Sequence, residues 1–385
     1  MKSPWPTKKL GEIVEKLELK KPPINSWPYI EIGDIDIENK SIVFKDKKSV
    51  NGAIIAPADS VLVSRVRPSR GAIVYLDKDY VVSSAFSVIK PKLTESFSKF
   101  LFYWLGFSKD FIRYLQGKQK GSNYPSVREK DILNYEILLP PLPIQQKIVE
   151  RLDAIKKAQE LNNKQIELTE ELFQSLLHRE LDPKGENWEV KRLGDIGVFK
   201  RGPFGGSLKK EIFVESGYKV YEQKNVIYND FTLGNYFIDE KKYKEMIDFA
   251  INSGDLIISC SGTIGKVVKV PEKVQPGIIN QALLKITPIK KYIINDFLKF
   301  LLETSLIQER LTANTRGSAI RNVASVVEIK RIKIPLPPLE TQQKIIKKLS
   351  AVQEYKKKLL EQKQKLQELF ESVLNKSFSR ILEYR

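Results

Sequence analysis

One segment of this chain is written twice. Leu139-Pro140-Pro141-Leu142-Pro143-Ile144-Gln145-Gln146-Lys147-Ile148 returns as Leu336-Pro337-Pro338-Leu339-Glu340-Thr341-Gln342-Gln343-Lys344-Ile345, eight identities in ten at an offset of 197. At the same offset Glu171-Leu172-Phe173-Gln174-Ser175 returns as Glu368-Leu369-Phe370-Glu371-Ser372, so the stretch between keeps its length. Each half also opens alike: Trp5 with Lys9-Leu10-Gly11-Glu12-Ile13 matches Trp188 with Arg192-Leu193-Gly194-Asp195-Ile196, offset by 183. The second globular segment is therefore 14 residues longer than the first. Elsewhere the match thins to Ala58-Asp59 with Gly254-Asp255, Ala85 with Ala282, Pro91 with Pro288 and Gly121-Ser122 with Gly317-Ser318. Two diverged copies of one fold, each followed by a near-identical device, account for this pattern.

The device reads as a helix. Pro-Pro stops the preceding strand and punctuates the boundary. Beyond it Ile148, Leu152, Ile155, Gln159, Asn162, Ile166, Thr169, Phe173 and Leu176 alternate spacings of four and three, a heptad seam. Ile345, Leu349, Val352, Lys356, Leu359, Lys363, Leu366, Phe370 and Val373 repeat it. Neither Gly nor Pro interrupts Ile144–Glu180 or Thr341–Arg385, so each helix spans about 50 to 60 Å at ~1.5 Å per residue. So polar a helix is not stable alone. The expected partner of each seam is the other, packed antiparallel about a pseudo-twofold axis. Gln159, Asn162, Lys356 and Lys363 interrupt the apolar line, either as solvated positions or as a docking surface for another protein.

A chain of 385 residues with 42% apolar and 29% charged residues implies two or three soluble domains. Its most apolar stretches, Ile278–Ile286 and Tyr135–Leu142, fall far short of the roughly 20 residues of a membrane span. Met1-Lys2-Ser3-Pro4-Trp5-Pro6 lacks the features of a signal peptide, and a cytoplasmic location is expected. With only Cys260 and His178, neither an internal disulfide, a zinc finger nor a His-based catalytic triad is available. A net charge of +18 favours a polyanionic partner, although lysine-rich composition has other origins.

The globular segments read as mixed α/β. Ser60-Val61-Leu62-Val63, Gly71-Ala72-Ile73-Val74-Tyr75 and Asp255-Leu256-Ile257-Ile258-Ser259 are predicted strands between Gly, Pro and Asp turns. One helix is predicted over Phe97–Leu115 and one over Asn295–Leu311, with Phe100, Phe102, Tyr103, Trp104, Phe107 and Phe111 as core. Basic and amide-bearing loops occupy matching places. In the first copy they supply Arg65, Arg67, Arg70, Lys118, Lys120, Ser122, Asn123, Tyr124 and Arg128. In the second they supply Arg201, Lys209, Lys224, Ser261, Thr263, Lys266, Arg316, Ser318, Arg321 and Asn322. Arginine's planar fork suits guanine edges and phosphates, while solvated basic turns are the plainer alternative. The glycines after Arg201 would let backbone approach phosphate. Enzyme signals fail: Ser261-Gly262-Thr263-Ile264-Gly265-Lys266-Val267 lacks phosphate-loop spacing and reads as a turn. Glu222-Gln223-Lys224 with Asp195 is only a fragment of a nuclease-like site.

Two such segments, each ending in Gly-Ser, a β-rich run, the Leu-Pro-Pro-Leu-x-x-Gln-Gln-Lys-Ile element and a long helix, resemble the specificity subunits of type I restriction-modification systems. The doubled Trp-x-x-x-Lys/Arg-Leu-Gly-Asp/Glu-Ile opening shares in the resemblance, which covers the whole chain. One feature departs from it: Glu340 is the usual acidic residue before the Gln pair, but the first copy has Pro143. The resemblance implies target-recognition domains at 1–140 and 183–336, spacer helices at 141–182 and 337–385, and a mixed α+β fold. It further implies that each domain reads half of a gapped site in double-stranded DNA. The helices would set the gap and dock two modification (methyltransferase) subunits. Restriction/translocase subunits would complete the complex. S-adenosylmethionine, ATP and magnesium would belong to those partners, with no cofactor, metal or catalytic site in this chain and no membrane. Two alternatives stay open: a stand-alone DNA-acting nuclease or modification enzyme, which needs clustered carboxylates, and a coiled-coil scaffold, which leaves the repeated basic loops unexplained.

Overall fold

The computed structural model describes residues 5–23, 28–45, 47–181, 187–312 and 323–382. The chain forms two compact units, one made of Met1–Asn163 with Glu361–Arg385 and one of Lys164–Leu360. Both long helices, Leu142–Glu180 and Leu339–Leu382, therefore contribute part of their length to each unit.

In the first unit the central sheet is Ser60–Ser64 between Ile73–Leu76 and Phe86–Ile89, all antiparallel. Every residue of Ser60–Ser64 is buried, so this run has no polar face to alternate with. A second small sheet pairs Tyr80–Val82 antiparallel with Ile54–Ala56 and parallel with Tyr29–Ile30. Thr7–Lys9 pairs with Glu136–Leu138, which returns the chain to its start just before Pro140-Pro141.

The second unit repeats the plan with the longer insert the offsets imply. Leu256–Ser259 lies between Val267–Lys269 and Leu283–Pro288, and Gly197–Arg201 extends the sheet by one edge strand. Tyr218–Tyr221 runs parallel to Gly277–Ile279 and antiparallel to Phe237–Ile238. Glu189–Arg192 closes against Lys333–Leu336.

The two helices predicted over Phe97–Leu115 and Asn295–Leu311 are each broken in two. The first divides into Ser98–Phe107 and Lys109–Lys118, because Ser108 Oγ caps the new turn by accepting the Phe111 N–H at 3.1 Å. The second divides into Asn295–Leu302 and Ser305–Thr312, where Thr304 Oγ1 accepts the Ile307 N–H at 3.4 Å. Phe100, Phe102, Tyr103, Trp104 and Phe111 are core, as their spacing requires, and Phe107 packs against it.

The long helices pack antiparallel as a coiled coil. Within the second unit Glu180 pairs with Lys348 at 2.8 Å, and Glu170, ten residues earlier, pairs with Lys356, eight residues later. Ile345, Leu349, Leu359 and Phe173 are buried there, with Ile166, Leu176 and Val352 half-buried. In the first unit Ile148, Leu152, Ile155 and Phe370 are buried and Leu366 and Val373 half-buried. Near the helix ends the buried line moves one residue on, to Leu177 and Leu374, as expected when an α-helix of about 3.6 residues per turn drifts off a strict heptad. Of the polar seam positions, Lys363 is exposed, but Asn162 and Thr169 are buried. Gln159 donates to the Leu366 carbonyl at 3.3 Å and to Gln367 Oε1 at 3.2 Å.

Two contacts anchor the first helix in its unit. Lys156 Nζ lies 5.2, 5.9 and 5.3 Å from the ring centres of Phe102, Tyr103 and Phe107 and donates to the Asn39 carbonyl at 3.0 Å. Burial holds this amine below the ordinary lysine range. The other contact is the first Gln of the repeated pair. Gln145 is fully buried; its Nε2 donates to the carbonyls of Glu95 (3.0 Å) and Pro140 (2.8 Å), and its Oε1 accepts from Ser96 Oγ (2.9 Å) and Phe97 N–H (3.2 Å). Gln342 repeats the arrangement on Tyr292, Pro337 and the Ile294 N–H, each at 2.9 Å. Gln146 and Gln343 are exposed. The doubled motif thus latches the start of each long helix onto the entrance of a short helix of its own unit, Ser98–Phe107 or Asn295–Leu302.

Candidate nucleic-acid interface

In the first unit two loops distant in sequence are stitched into one surface. The turn after Ser60–Ser64 donates the Arg67 N–H to the Pro125 carbonyl (2.7 Å), and its Arg65 carbonyl accepts the Val127 N–H (2.9 Å). Lys120 and Ser126 exchange two backbone bonds of 2.9 Å, which pinch the second loop closed and leave Ser122, Asn123 and Tyr124 exposed at its tip. The Arg67 guanidinium lies 5.6 Å from the centre of the Tyr124 ring, which is 75% exposed. Arg65 turns inward and donates to the Ser84 carbonyl.

The other predicted residues of this copy surround that seam. Arg70 and Lys120 are exposed, Lys118 lies over Tyr114 of its own helix at 5.5 Å, and Arg128 pairs with Asp131 at 3.1 Å. Lys40, which sequence reasoning passed over, donates to the Gly71 carbonyl at 2.6 Å beneath the turn. Burial lowers its pKa, and the nearby Lys156 charge adds to the effect. Nothing in a lone lysine 31 residues upstream signals this contact.

One cross-loop bond of this frame recurs in the second unit, among different side chains. The Cys260 carbonyl accepts the Val323 N–H at 3.2 Å, the counterpart of Arg65 with Val127. Arg201 Nε donates to the Gln281 carbonyl at 3.2 Å, and Gln281 stands where Ser84 stands in the first copy. A guanidinium therefore reaches one equivalent carbonyl from two unrelated sequence positions. Gln223, also missed, donates to the carbonyls of Ser261 and, at 3.0 Å, Thr263. Lys224 pairs with Glu222 at 2.8 Å and lies 6.0 Å from the Tyr236 ring centre, and Lys209 is exposed. Phe204 is 91% exposed on the loop after Gly202, whose missing Cβ admits the Asn280 carbonyl. Lys266 does not join this group: it lines a cleft with Glu170, Phe173, Lys356 and Gln353 on the long helices. Arg316, Ser318, Arg321 and Asn322 lie outside the described residues.

The chemistry of these surfaces is that of fixed donors. Burial pushes the Cys260 thiol up to about 12, against the pull of Arg201, so it is not a thiolate nucleophile. The Asp195 carboxylate accepts the Arg192 N–H at 3.0 Å in its own helix cap. Among the described residues no three His, Cys, Asp or Glu side chains are placed to hold a metal, and no helix is long and apolar enough to cross a membrane.

Comparison with known proteins is consistent along the whole chain. A family model described as type I restriction modification DNA specificity domain matches twice, at residues 2–171 and 185–369. The type I restriction enzyme MjaVIII specificity subunit of Methanocaldococcus jannaschii is 25% identical over 406 residues, covering 98% of this chain and 92% of that protein. The HindI specificity subunit of Haemophilus influenzae is 26% identical over 187 residues, covering 45% and 40%. Among solved structures, a chain from a study of the assembly and conformational transition of a type I R-M system superposes with a TM-score of 0.64 at 22% identity, covering 98% of both. The S subunit of a type I restriction-modification system from M. genitalium superposes at 0.60 and 17%, covering 97% and 96%. At these identities the superpositions establish the fold.

Proposed function

The chain belongs to the type I restriction-modification DNA specificity family, and on that premise we propose that each of its globular segments reads one half of a bipartite, gapped site in double-stranded DNA. The observation that supports this most directly is the repeated two-loop frame. One cross-loop backbone bond, Val127 N–H to the Arg65 carbonyl, recurs as Val323 N–H to the Cys260 carbonyl, while the side chains around it differ: Arg67 and Tyr124 in one copy, Gln223 and Thr263 in the other. A constant frame with unlike displays is what two unlike half-sites require. Lysines and arginines around each frame supply sequence-independent attraction to phosphate, and the fixed groups supply base discrimination.

The chain acts without catalysis of its own, in the cytoplasm, and assembles with two modification (methyltransferase) subunits and with restriction/translocase subunits. S-adenosylmethionine, ATP and magnesium belong to those partners. The long helices set the number of unread base pairs, so deleting one heptad from each should shorten the gap by about 3 base pairs, at ~1.5 Å per residue and ~3.4 Å per base pair.

Co-expression with the modification-subunit gene in a methylation-free host, followed by long-read mapping of methylated bases, tests the reading. A single gapped two-part motif that requires both genes is the expected result. A stable complex with an active modification subunit that methylates no such motif would refute it.

A further inference from the structure

The first copy carries a side chain where the second carries none. At the tip of the second copy's turn, Gly262 has a φ of +61°, a left-handed conformation that suits glycine. The equivalent residue in the first copy is Arg67, with φ 47° and ψ 48°, and the residue that follows it is Pro68. A residue before proline favours extended backbone, and a left-handed arginine is disfavoured by its own Cβ. Glycine would remove the Cβ conflict, and the second copy has glycine at the equivalent point of its own turn. The strained backbone is held in place by the other loop, through the bond from the Arg67 N–H to the Pro125 carbonyl.

What the strain secures is the placement of the guanidinium. Among the described residues it has no carboxylate partner, and it lies against the Tyr124 ring at 5.6 Å. Tyr124 is itself held at the tip of the loop that Lys120 and Ser126 close. A phosphate contact needs only a charge on a mobile stem, as the exposed Arg70 provides. A fork half-buried at a junction of two loops and set against an aromatic ring has less rotamer freedom to lose when a ligand arrives. Such a fork suits a planar pair of acceptors at fixed separation, and in the DNA major groove that pair is O6 and N7 of guanine.

We propose that Arg67 and Tyr124 form a composite clip that reads one guanine in the half-site bound by the first globular segment, with Arg67 contacting the base edge and Tyr124 acting as its positioning residue. This rests on the DNA-reading function above and adds to it the base, the groove and the residue pair. The second copy, with glycine at the same point and the Gln223 amide standing 3.7 Å from where a Cβ would be, reads its half-site by other means.

The test uses the full-length chain in complex with its modification subunits, on the gapped site mapped by methylation. Guanines of both half-sites are replaced one at a time by 7-deazaguanine, which lacks only the N7 acceptor. One position in a single half-site should weaken wild-type binding about tenfold. That penalty should vanish in Arg67→Gly, which suits the left-handed conformation at this point, and Arg67→Lys should not restore it. Tyr124→Ala should reduce the penalty, whereas Tyr124→Phe should preserve it, since the ring face is retained. An unchanged penalty in Arg67→Gly, or no sensitive guanine in either half-site, overturns the clip while leaving the bipartite reading intact. A wild-type complex with no sequence-selective binding overturns both.

Discussion

Replacing Gln145 should unfasten the first long helix from its unit. The side chain is wholly buried and makes four hydrogen bonds. Gln145→Leu removes all of them, strands the Phe97 N–H and the carbonyls of Glu95 and Pro140, and leaves the Ser96 hydroxyl only its long 3.4 Å bond to the Phe97 carbonyl. Each unsatisfied buried group costs about 1–3 kcal/mol, the carbonyls least, because they keep a second lone pair to use elsewhere. Allowing roughly 1–2 kcal/mol returned by burial of the leucine side chain, the net loss should be about 2–4 kcal/mol, a large part of a domain's stability. The neighbouring Gln146 is the internal control: it is exposed and donates to Glu150, one turn on, at 2.9 Å. Gln146→Leu should shift stability by no more than about 0.5 kcal/mol. Urea unfolding combined with hydrogen exchange of the Ser98–Phe107 amides reads both effects, and the exchange locates the loss. Gln145→Glu adds a sign test. Its second oxygen would face two carbonyl oxygens, so the folded state favours the protonated acid, and the destabilisation should grow as pH rises through the carboxylate range. Equal losses for the two leucine variants would refute the latch.

Asp34 is 2% exposed. Burial pushes its pKa up, but the Glu31 N–H at 3.0 Å and the ammonium groups of Lys45 (3.0 Å) and Lys47 (3.3 Å) outweigh that and hold it below the usual value. Its stabilisation is therefore whole above the unfolded pKa of about 3.9 and drains away as pH falls through the lower folded value. Asp34→Asn keeps the cap, as Asn225 does for Glu222 at 2.8 Å in the second copy, and should flatten the acid limb of a urea-midpoint profile; an unchanged limb would count against the pairing. Phe370 is 4% exposed, with ring centres 6.3 Å from Tyr103 and 5.1 Å from Phe107, so Phe370→Ala should cost about 3–5 kcal/mol in unfolding experiments and loosen Ser98–Phe107 in exchange. Arg70→Ala and Lys118→Ala should each weaken DNA binding to all sequences alike and lower the salt slope by about one, whereas a change in preferred sequence would move those residues to base contact.

How much was legible depended on the range of the interaction. The heptad in Ile148–Leu176 and Ile345–Val373 is a local periodicity, and two copies of it in one chain are enough to predict antiparallel helices. The aromatic stripe of Phe100–Phe111 and the buried run Ser60–Ser64 are equally local, and both lie where their pattern requires. The helix breaks at Ser108 and Thr304 went unread because one capping hydroxyl inside an apolar stretch hardly alters the periodicity. Basic loops could be recognised by composition, so Arg67 and Tyr124 were candidates from the residues alone. Their pairing was not legible, since 57 residues separate them and only the bonds from Arg67 to Pro125 and from Val127 to Arg65 bring them together.

By itself, then, the sequence determined what repeats: two copies of one fold, two helices with one seam, and two sets of cationic loops. Tertiary structure alone decided what each repeated residue is for. Gln145 and Gln146 are identical letters, yet one is a buried latch and the other a solvated side chain, because only one of two adjacent helical positions can face the packed entrance of the short helix. Arg65 and Arg201 occupy unrelated places in the repeat, yet each reaches the equivalent carbonyl of its own copy, because a long side chain can enter a fixed point in space from more than one direction. A pattern along the chain records which face an element buries; which partner meets that face depends on the path the chain takes between them.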